Sequence, residues 1–172
     1  MAGDGRAVYA RRFSAERFVP LSVDVVFAFL DDHRNFSSHM EKSSVLMAGS
    51  RMVLTMDDTG GRTVGSRLVL KGRFLGFPLS VSETVTERQP PARKVWVTDG
   101  EPRLLVIGRY RMGFVVAPAQ AGSLVEVFLE YAFPGGVVSR RLGVLFGGLY
   151  ARWCVRSVLS AIGSGQGAQR SV

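Results

Sequence analysis

Apolar and polar residues alternate with a period of two along most of the chain after residue 50, which predicts β-strands. Turn sequences such as Asp99-Gly100 and the run from Asp57 to Gly61 separate these segments. Consecutive strands joined by short turns are typical of an antiparallel sheet. The six strands expected in this part of the chain are residues 51–56, 63–74, 77–87, 93–98, 104–117 and 123–133.

Before these strands, the sequence predicts a first strand at 13–19 and a helix that follows it. Ser22 is a suitable N-cap for a helix that runs through about Asp31, and Asp24 in the first turn complements the helix dipole. A second, shorter helix is expected at about residues 34–40. The apolar face of the first helix is expected to consist of Val25, Val26, Phe29 and Leu30.

The end of the chain carries the longest helical pattern. Residues 137–162 contain no proline and place apolar side chains at helical spacing, directly after Pro134-Gly135-Gly136. A helix this apolar that follows antiparallel strands is expected to lie across the sheet, because only there is its surface shielded from water. The expected architecture is therefore α+β, with an antiparallel sheet that would have to curl around the long C-terminal helix to leave a cavity. A pocket for a small apolar ligand would lie between the two.

Composition indicates one folded domain and excludes several classes of protein. With 172 residues, of which 47% are apolar, the chain can bury a core, expected at residues 12–162 between flexible ends at 1–11 and 163–172. One cysteine, Cys154, and two histidines exclude a disulfide framework and leave too few ligands for structural zinc, so no metal or cofactor is expected. The absence of an apolar signal segment predicts a cytoplasmic protein.

The net charge of +8 raises nucleic acid and anionic membranes as partners. No nucleic-acid-binding motif accompanies the charge, so nucleic acid is not expected to bind. Several arginines fall at strand positions opposite the apolar face, where they would form a solvated outer surface: Arg67, Arg73, Arg109 and Arg111. Four others interrupt the last helix, which argues against a membrane span and leaves an anionic membrane surface open as a partner: Arg140, Arg141, Arg152 and Arg156.

Two stretches of the sequence resemble a known superfamily. Residues 18–32, FVPLSVDVVFAFLDD, resemble the first strand and helix of the START/Bet v1-like proteins, also called SRPBCC or the polyketide cyclase/dehydrase and lipid transport group. Residues 122–136, GSLVEVFLEYAFPGG, resemble the last strand of that group, and the helix after them resembles its C-terminal helix. The resemblance covers about residues 11–162. It implies a helix-grip fold, in which a curved sheet holds the helix around a hydrophobic cavity.

The resemblance also implies a range of functions. Members of the superfamily bind lipids, sterols, quinones or polyketides, and a minority catalyse cyclisation or dehydration of a polyketide. No catalytic pattern of that kind carries over to this chain residue by residue. The resemblance therefore implies a binding fold and assigns no catalytic residues.

Strand alternation places one carboxylate among apolar neighbours. Within residues 77–87, Glu83 shares a face with Val81, and that face should be covered. Because an isolated buried charge is very unfavourable, Glu83 is either a cavity group that holds or polarises a ligand, or a structural residue that a β-bulge turns outward or an arginine pairs. Tyr110 and Ser66 are the other polar groups expected on this face. The residues expected to line the ligand site are Leu54, Met56, Ser66, Leu68, Val81, Glu83, Tyr110, Met112, Phe114, Phe146, Tyr150 and Trp153.

The last helix offers two further patterns. Gly143 and Gly147 share a face and either leave volume for a ligand or let the sheet pack closely. Phe146, Tyr150 and Trp153 recur at helical spacing and either form a wall of the cavity or belong to the core.

Three functions from different classes fit this sequence. The favoured one is a carrier or sensor of a hydrophobic small molecule, such as a lipid, an isoprenoid, a quinone or a polyketide, because it requires only the cavity. The second is a cyclase or dehydratase in which Glu83 and Tyr110, with Ser66, act as general acid/base and orienting groups. His33 and His39 lie near no nucleophile motif and are not expected to be catalytic. The third is a peripheral lipid-transfer module that presents the arginines of the last helix to an anionic membrane.

Overall fold

The computed structural model describes residues 9–35, 52–74 and 76–164. Its strands are β1 (Arg11–Val19), β2 (Met52–Met56), β3 (Arg67–Phe74), β4 (Phe77–Gln89), β5 (Arg93–Thr98), β6 (Tyr110–Ala119) and β7 (Gly122–Tyr131). They form one antiparallel sheet in the order β1-β7-β6-β5-β4-β3-β2. Each strand from β2 to β6 pairs with the next along the chain, and β1 pairs with β7.

Two helices pack on one face of this sheet, α1 (Val23–Asp31) and α2 (Val137–Ser164). The predicted α+β architecture, a curved antiparallel sheet that holds a long C-terminal helix, is confirmed. Of the second predicted helix at 34–40, residues 34 and 35 are helical and the remainder lies outside the described residues, as does His39. β1 begins at Arg11 and α2 extends to Ser164, whereas the extent of flexible ends stays a prediction.

α1 begins where the sequence predicts. The Ser22 backbone is extended, with φ −64° and ψ 154°, and its hydroxyl accepts a hydrogen bond from the Val25 amide at 3.5 Å. The ring of Phe27 meets Phe114 of β6 edge to face, with centroids 5.5 Å apart, which fixes α1 against the sheet. Val25, expected on the apolar face of α1, is 52% exposed, because it lies outside the face of the helix that packs on the sheet. The buried apolar residues of α1 are Val26, Phe27 and Leu30.

α2 lies against β1 and β7. Arg17 on β1 donates a hydrogen bond to the Leu159 carbonyl at 2.8 Å and ties the last turns of the helix to the sheet. Earlier in the helix, a Cβ added at Gly143 would lie 2.9 Å from the Val106 carbonyl oxygen. Of the two interpretations of this glycine, close packing therefore fits the structure. The side chains that α2 buries in the core are Ala151, Cys154, Val155, Val158, Leu159 and Ile162.

By length and composition, Val137–Ile162 could cross a membrane, with a mean hydropathy of 1.2. The expectation that its arginines exclude such a composition is therefore wrong. In this fold, however, 39% of the segment is buried within the protein, where it completes the core. The apolar character of α2 is thus partly explained by its contacts with the sheet.

The third strand begins later than predicted. Residues 63–66 form a turn in which the Ser66 amide donates to the Thr63 carbonyl at 3.1 Å, so β3 starts only at Arg67. Val64, which strand alternation within residues 63–74 would place on the same face as Leu68, is 60% exposed as a result.

The sixth strand begins at Tyr110 rather than at residue 104. Residues 104–109 lie outside the named strands, and a Cβ added at Gly108 would lie 2.7 Å from the Phe133 carbonyl oxygen. This close approach of two backbone segments takes the place of a regular strand. Val106, which a strand from residue 104 would have included, therefore belongs to a loop that contacts α2.

The outer face of the sheet carries an apolar residue covered by arginines. Phe128 on β7 packs over Gly113 of β6 and is only 2% exposed. The guanidinium carbons of Arg12, Arg93 and Arg111 lie 5.0, 5.7 and 5.7 Å from its ring centroid. The acidic partners of these arginines are Glu87, Glu126 and Glu130. Much of the arginine content of this face is therefore structural.

Candidate functional site

Glu83 and Tyr110 form a buried polar pair on the inner face of the sheet, and each is 5% exposed. Glu83 is on β4 and Tyr110 is on β6, and the Tyr110 hydroxyl reaches over β5 to donate a hydrogen bond to Glu83 Oε1. Thr98 of β5 lies opposite Glu83 in the register, and its hydroxyl accepts a hydrogen bond from the Tyr110 amide at 3.2 Å. The fold thus brings together the carboxylate and the phenol that alternation assigned to this face.

Burial controls the ionisation of both groups. Removal from water raises the pKa of Glu83 to about 7, although hydrogen bonds from Tyr110 and Trp96 favour the charged form. Burial and the adjacent Glu83 carboxylate raise the pKa of Tyr110 well above its ordinary value, so the phenol stays protonated. The site therefore contains an acid that changes charge near neutral pH beside a permanent hydrogen-bond donor.

The structural alternatives for Glu83 do not describe its environment. β4 contains an irregularity, but it lies between Val85 and Glu87, beyond Glu83. It turns Glu87 to the outer face, where that carboxylate pairs with Arg93 at 2.8 Å and with Arg111 at 3.0 Å. Glu83 itself stays inside, with hydrogen bonds from a tyrosine and a tryptophan.

α2 supplies the other side of the site. Tyr150 is partly buried and shares a side-chain hydrogen bond with the buried Cys154, and both residues lie close enough to Tyr110 to affect its pKa. Burial raises the pKa of the Cys154 thiol to about 12, which keeps it protonated and makes it a poor nucleophile. The Trp153 ring lies 5.8 Å from the Tyr150 ring and widens this wall.

Most of the predicted lining residues lie on the same inner side of the fold as this pair. Four of them are buried in the core: Leu68, Val81, Met112 and Phe114. Four more are partly buried and pack against it: Leu54, Met56, Tyr150 and Trp153. Their place on the inner side follows from strand and helix periodicity, and their contact with a ligand stays a prediction.

Two predicted lining residues differ from the others, because one has its hydroxyl engaged in a turn and the other is exposed. The hydroxyl of Ser66 is used within its own turn, where it bonds to the Thr63 hydroxyl at 2.8 Å and to Thr59. Phe146 is 48% exposed, so the expected aromatic wall of three residues is reduced to Tyr150 and Trp153.

A second buried polar cluster, which the sequence pattern did not predict, lies at the end of α1. Lys94 on β5 is fully buried, and its Nζ donates to the carbonyl oxygen and to Oδ1 of Asp31, both at 2.8 Å. The same Nζ lies 3.1 Å from Nδ1 of His33. Arg88 donates two further hydrogen bonds to the Asp31 carboxylate, at 3.1 and 2.8 Å. One carboxylate thus holds two cations and anchors α1 to the sheet.

Ionisation in this cluster follows from its contacts. Burial alone would raise the pKa of Asp31, but the bonds from Arg88 and Lys94 outweigh it and lower that pKa. Burial lowers the pKa of Lys94, and burial together with the Lys94 charge lowers the pKa of His33 to about 3. The imidazole is therefore neutral at physiological pH. The His33 ring lies 4.8 Å from the ring of Trp96, which connects this cluster to Glu83.

Only a weak signal in the sequence could have revealed Lys94. In the stretch from Arg93 to Thr98, Val95 and Val97 occupy alternate positions and suggest that their face is the inner one. The structure turns the opposite face inward, with Lys94 and Trp96, while Val95 is buried on the outer side. The large apolar surface of Trp96 is the one feature that favours this orientation.

Two other kinds of site can be compared with the Glu83–Tyr110 pair: a depression on the outer face of the sheet and a metal site. A depression of about 540 Å³ lies on the outer face, and four of the charged residues that line it, Arg12, Arg93, Arg111 and Glu130, are already in ion pairs. It lies on the side of the sheet opposite the Glu83–Tyr110 pair. Across residues 9–35, 52–74 and 76–164, no group of three or more potential ligands is arranged to hold a metal ion.

Solved structures of similar fold come from bacteria and plants. A protein of Thermus thermophilus is 17% identical, with a TM-score of 0.63 over 88% of this chain and 94% of that one. Norcoclaurine synthase from Thalictrum flavum, in complex with dopamine and hydroxybenzaldehyde, is 18% identical, with a TM-score of 0.62 over 100% and 97%. Major latex-like protein 151 from Panax ginseng is 11% identical, with a TM-score of 0.56 over 90% and 96%. At these identities the likeness establishes the fold alone.

The sequence comparisons establish the family. No curated protein matches the chain significantly in sequence. A family described as polyketide cyclase / dehydrase and lipid transport matches residues 10–161, which include every strand and nearly all of α2. Its fold is one that binds hydrophobic ligands, in agreement with the sheet, the long helix and the apolar inner face described above. The chain belongs to the polyketide cyclase / dehydrase and lipid transport family.

Proposed function

We propose that the protein binds a small, mostly apolar molecule between the inner face of the sheet and α2, as a carrier or sensor. The observation that carries this proposal is the Glu83–Tyr110 pair, buried among apolar side chains. A core that served packing alone would gain little from a buried carboxyl group, because its desolvation is unfavourable. A carboxyl group and a phenol can instead hold the hydroxyl or carbonyl of a ligand whose remaining surface is apolar.

The family and one structural neighbour support this ligand class. The family includes lipid-transport proteins and proteins that act on polyketides, both of which handle largely apolar molecules. Norcoclaurine synthase, which shares the fold, has been solved with two small aromatic molecules, dopamine and hydroxybenzaldehyde. For this chain we propose a lipid, isoprenoid, quinone or polyketide that carries at least one oxygen. The cytoplasmic location of the protein stays a prediction.

Native mass spectrometry of the protein purified from its own host tests the proposal. The expected result is a protein with one bound apolar molecule, which organic extraction then releases for identification. Saturable 1:1 binding of the probe 1-anilinonaphthalene-8-sulfonate, displaced by the extracted molecule, would place it in the same site. A protein that carries nothing and binds the probe without saturation would contradict the proposal.

A cyclase or dehydratase is the second candidate, and the pKa of Glu83 favours it. A carboxyl group with a pKa of about 7 can accept and donate a proton at physiological pH, as general acid/base catalysis requires. Tyr110 would orient the reacting oxygen, and Ser66 is less suited to this role because its hydroxyl is engaged in the turn.

Glu83→Gln separates the two candidates. A carrier should retain its co-purified molecule in this variant, because the amide keeps the size and most of the polarity of the carboxyl group. An enzyme should bind the molecule but no longer exchange its carbon-bound hydrogens with deuterium oxide. Glu101→Gln is the matched control, because Glu101 is an exposed carboxylate paired with Arg109 at 2.7 Å. Exchange that survives Glu83→Gln unchanged would eliminate Glu83 as the base.

A further inference from the structure

The outer face of α2 is both apolar and basic. Residues 138, 141, 145, 149, 152 and 156 follow one another at intervals of three or four positions, which places them on one stripe of the helix. All six are exposed. The stripe consists of Val138, Arg141, Leu145, Leu149, Arg152 and Arg156.

The apolar part of this stripe is unusually exposed for a soluble helix. Val138 is 73% exposed, Leu145 is 71% exposed and Leu149 is 58% exposed. Val137 and Val144, on the flank of the stripe, are 72% and 62% exposed. Isolated apolar residues on a surface need no explanation, but a contiguous group on one helix face indicates a docking surface.

The charge of α2 is of one sign. Residues 137–164 contain four arginines and no aspartate or glutamate. In the described parts of the chain, the ion pairs formed by arginines involve other positions, and Arg140, Arg141 and Arg156 are in none of them. This surface is therefore complementary to a partner that is negatively charged at its boundary and apolar just beneath it.

We propose that the outer face of α2 docks on an anionic lipid bilayer. Val138, Leu145 and Leu149 would enter the boundary between head groups and acyl chains, and the guanidinium groups of Arg141 and Arg156 would contact lipid phosphates. The helix lies in the plane of the membrane and does not span it, because its opposite face, with Cys154 and Val158, is part of the protein core. This surface is independent of the proposed ligand site inside the fold.

A second copy of the chain fits this face poorly. In a two-fold dimer the same patch meets itself, so the arginines of both copies would face each other with no carboxylate of α2 to pair them. A bilayer of anionic lipids supplies the negative charge that the helix lacks. Charge therefore favours the membrane over self-association.

Co-sedimentation of the full chain with vesicles tests the proposal. The vesicles are pure phosphatidylcholine, or phosphatidylcholine with ~30% phosphatidylserine to provide an anionic surface. We expect binding to the anionic vesicles that weakens steeply with salt, and little binding to the neutral ones. Arg141→Glu with Arg156→Glu should weaken it at least ~20-fold, because each basic residue near such a surface contributes about fivefold.

Matched variants make this result specific. Lys71→Glu with Arg73→Glu makes the same change of charge on exposed positions of β3 and should weaken binding much less. Val138→Ser with Leu145→Ser should reduce binding even at low salt, whereas Val53→Ser with Val64→Ser, at positions 67% and 60% exposed, should not. Equal losses in test and control variants, or no binding to anionic vesicles at low salt, would overturn the proposal. So would a dimer that dissociates in the Val138→Ser with Leu145→Ser variant, or a large loss of stability in that variant, which would show that the chain itself covers this face.

Discussion

The Tyr110 hydroxyl donates a hydrogen bond to the Glu83 carboxylate from two strands away, across β5. The contact joins the middle of the sheet to the half formed by β2, β3 and β4, on the side that α1 and α2 cover. Because the phenol remains protonated and the carboxyl group titrates near neutral pH, the pair changes from neutral to singly charged within the physiological range. That property makes its contribution to stability and ligand binding measurable.

The first prediction concerns stability as a function of pH. Burial raises the pKa of Glu83 from 4.5 to about 7, so between these values the folded protein keeps a proton that the unfolded chain has lost. The contribution of Glu83 to the free energy of unfolding is therefore greatest below pH ~4.5. It decreases as the pH rises and has disappeared above pH ~7, which is a total decrease of about 3 kcal/mol. Urea unfolding of the wild type and of Glu83→Gln across this range measures it.

The difference between the two proteins isolates Glu83. We expect Glu83→Gln to gain stability relative to the wild type as the pH rises from ~5 to ~8, because the amide cannot ionise. Glu101→Gln, at a carboxylate whose side chain is 70% exposed, should follow the wild-type curve throughout. A wild-type curve parallel to that of Glu83→Gln would mean that Glu83 titrates normally.

The second prediction is that Tyr110→Phe raises the pKa of Glu83 further. The hydrogen bond from Tyr110 favours the ionised carboxylate, and its loss leaves burial less opposed. Carboxyl carbon NMR of the protein labelled at glutamate, assigned with Glu83→Gln, measures this pKa. A pKa that falls below the wild-type value would show that Tyr110 does not act as the donor.

Periodicity was sufficient to assign Glu83 and Tyr110 to the same face of the sheet, but not to predict the hydrogen bond between them. Glu83 falls between Val81 and Val85 in a regular strand, and the structure keeps this alternation until the bulge before Glu87. Lys94 could not be predicted in the same way, because its burial depends on Asp31, which is 63 positions away in the chain. Alternation along a strand indicates which face of the sheet a residue occupies. Whether a buried charge has a partner depends on residues that are distant in the sequence.

The ends of elements were harder to predict than their existence. Val64 continues the alternating pattern of its strand, but the hydrogen bonds of Ser66 close a turn at this point. Phe146 fits the aromatic spacing of Tyr150 and Trp153, yet it is 48% exposed. In both cases the sequence pattern extends past the point where the chain leaves the core.

The third prediction concerns the cluster at the end of α1. Lys94→Met keeps most of the buried hydrocarbon but removes the donor to the carbonyl oxygen and to Oδ1 of Asp31, so we expect a loss of about 2 kcal/mol in the free energy of unfolding. Lys71→Met, at an exposed position of β3, should change stability by less than ~0.5 kcal/mol. Chemical denaturation of both variants measures the difference.

The double variant Asp31→Asn with Lys94→Met tests the origin of that loss. If the loss of the Lys94 hydrogen bond to the Asp31 carboxylate causes it, the double variant should be more stable than the sum of the two single changes predicts. Strict additivity would instead indicate that Lys94 stabilises the fold through packing.

The fourth prediction concerns the approach of two strands beneath Phe128. A Cβ added at Gly113 would lie 2.5 Å from the Lys94 carbonyl oxygen and 2.8 Å from the Phe128 ring. Backbone cannot move away as a flexible side chain can, so Gly113→Ala should lower the free energy of unfolding by about 3 kcal/mol. Gly135→Ala is the control, because a Cβ added there meets nothing within 4 Å.

Phe128→Leu combined with Gly113→Ala separates the two contacts. The smaller side chain removes the clash with the ring but not the one with the Lys94 carbonyl, so it should restore only part of the stability that Gly113→Ala loses, measured relative to Phe128→Leu alone. The same carbonyl belongs to the residue that holds Asp31, so the Gly113→Ala change should also disturb α1, visible as faster amide hydrogen exchange around Leu30. Full recovery in the double variant, or unchanged exchange at α1, would show that β5 does not transmit the strain.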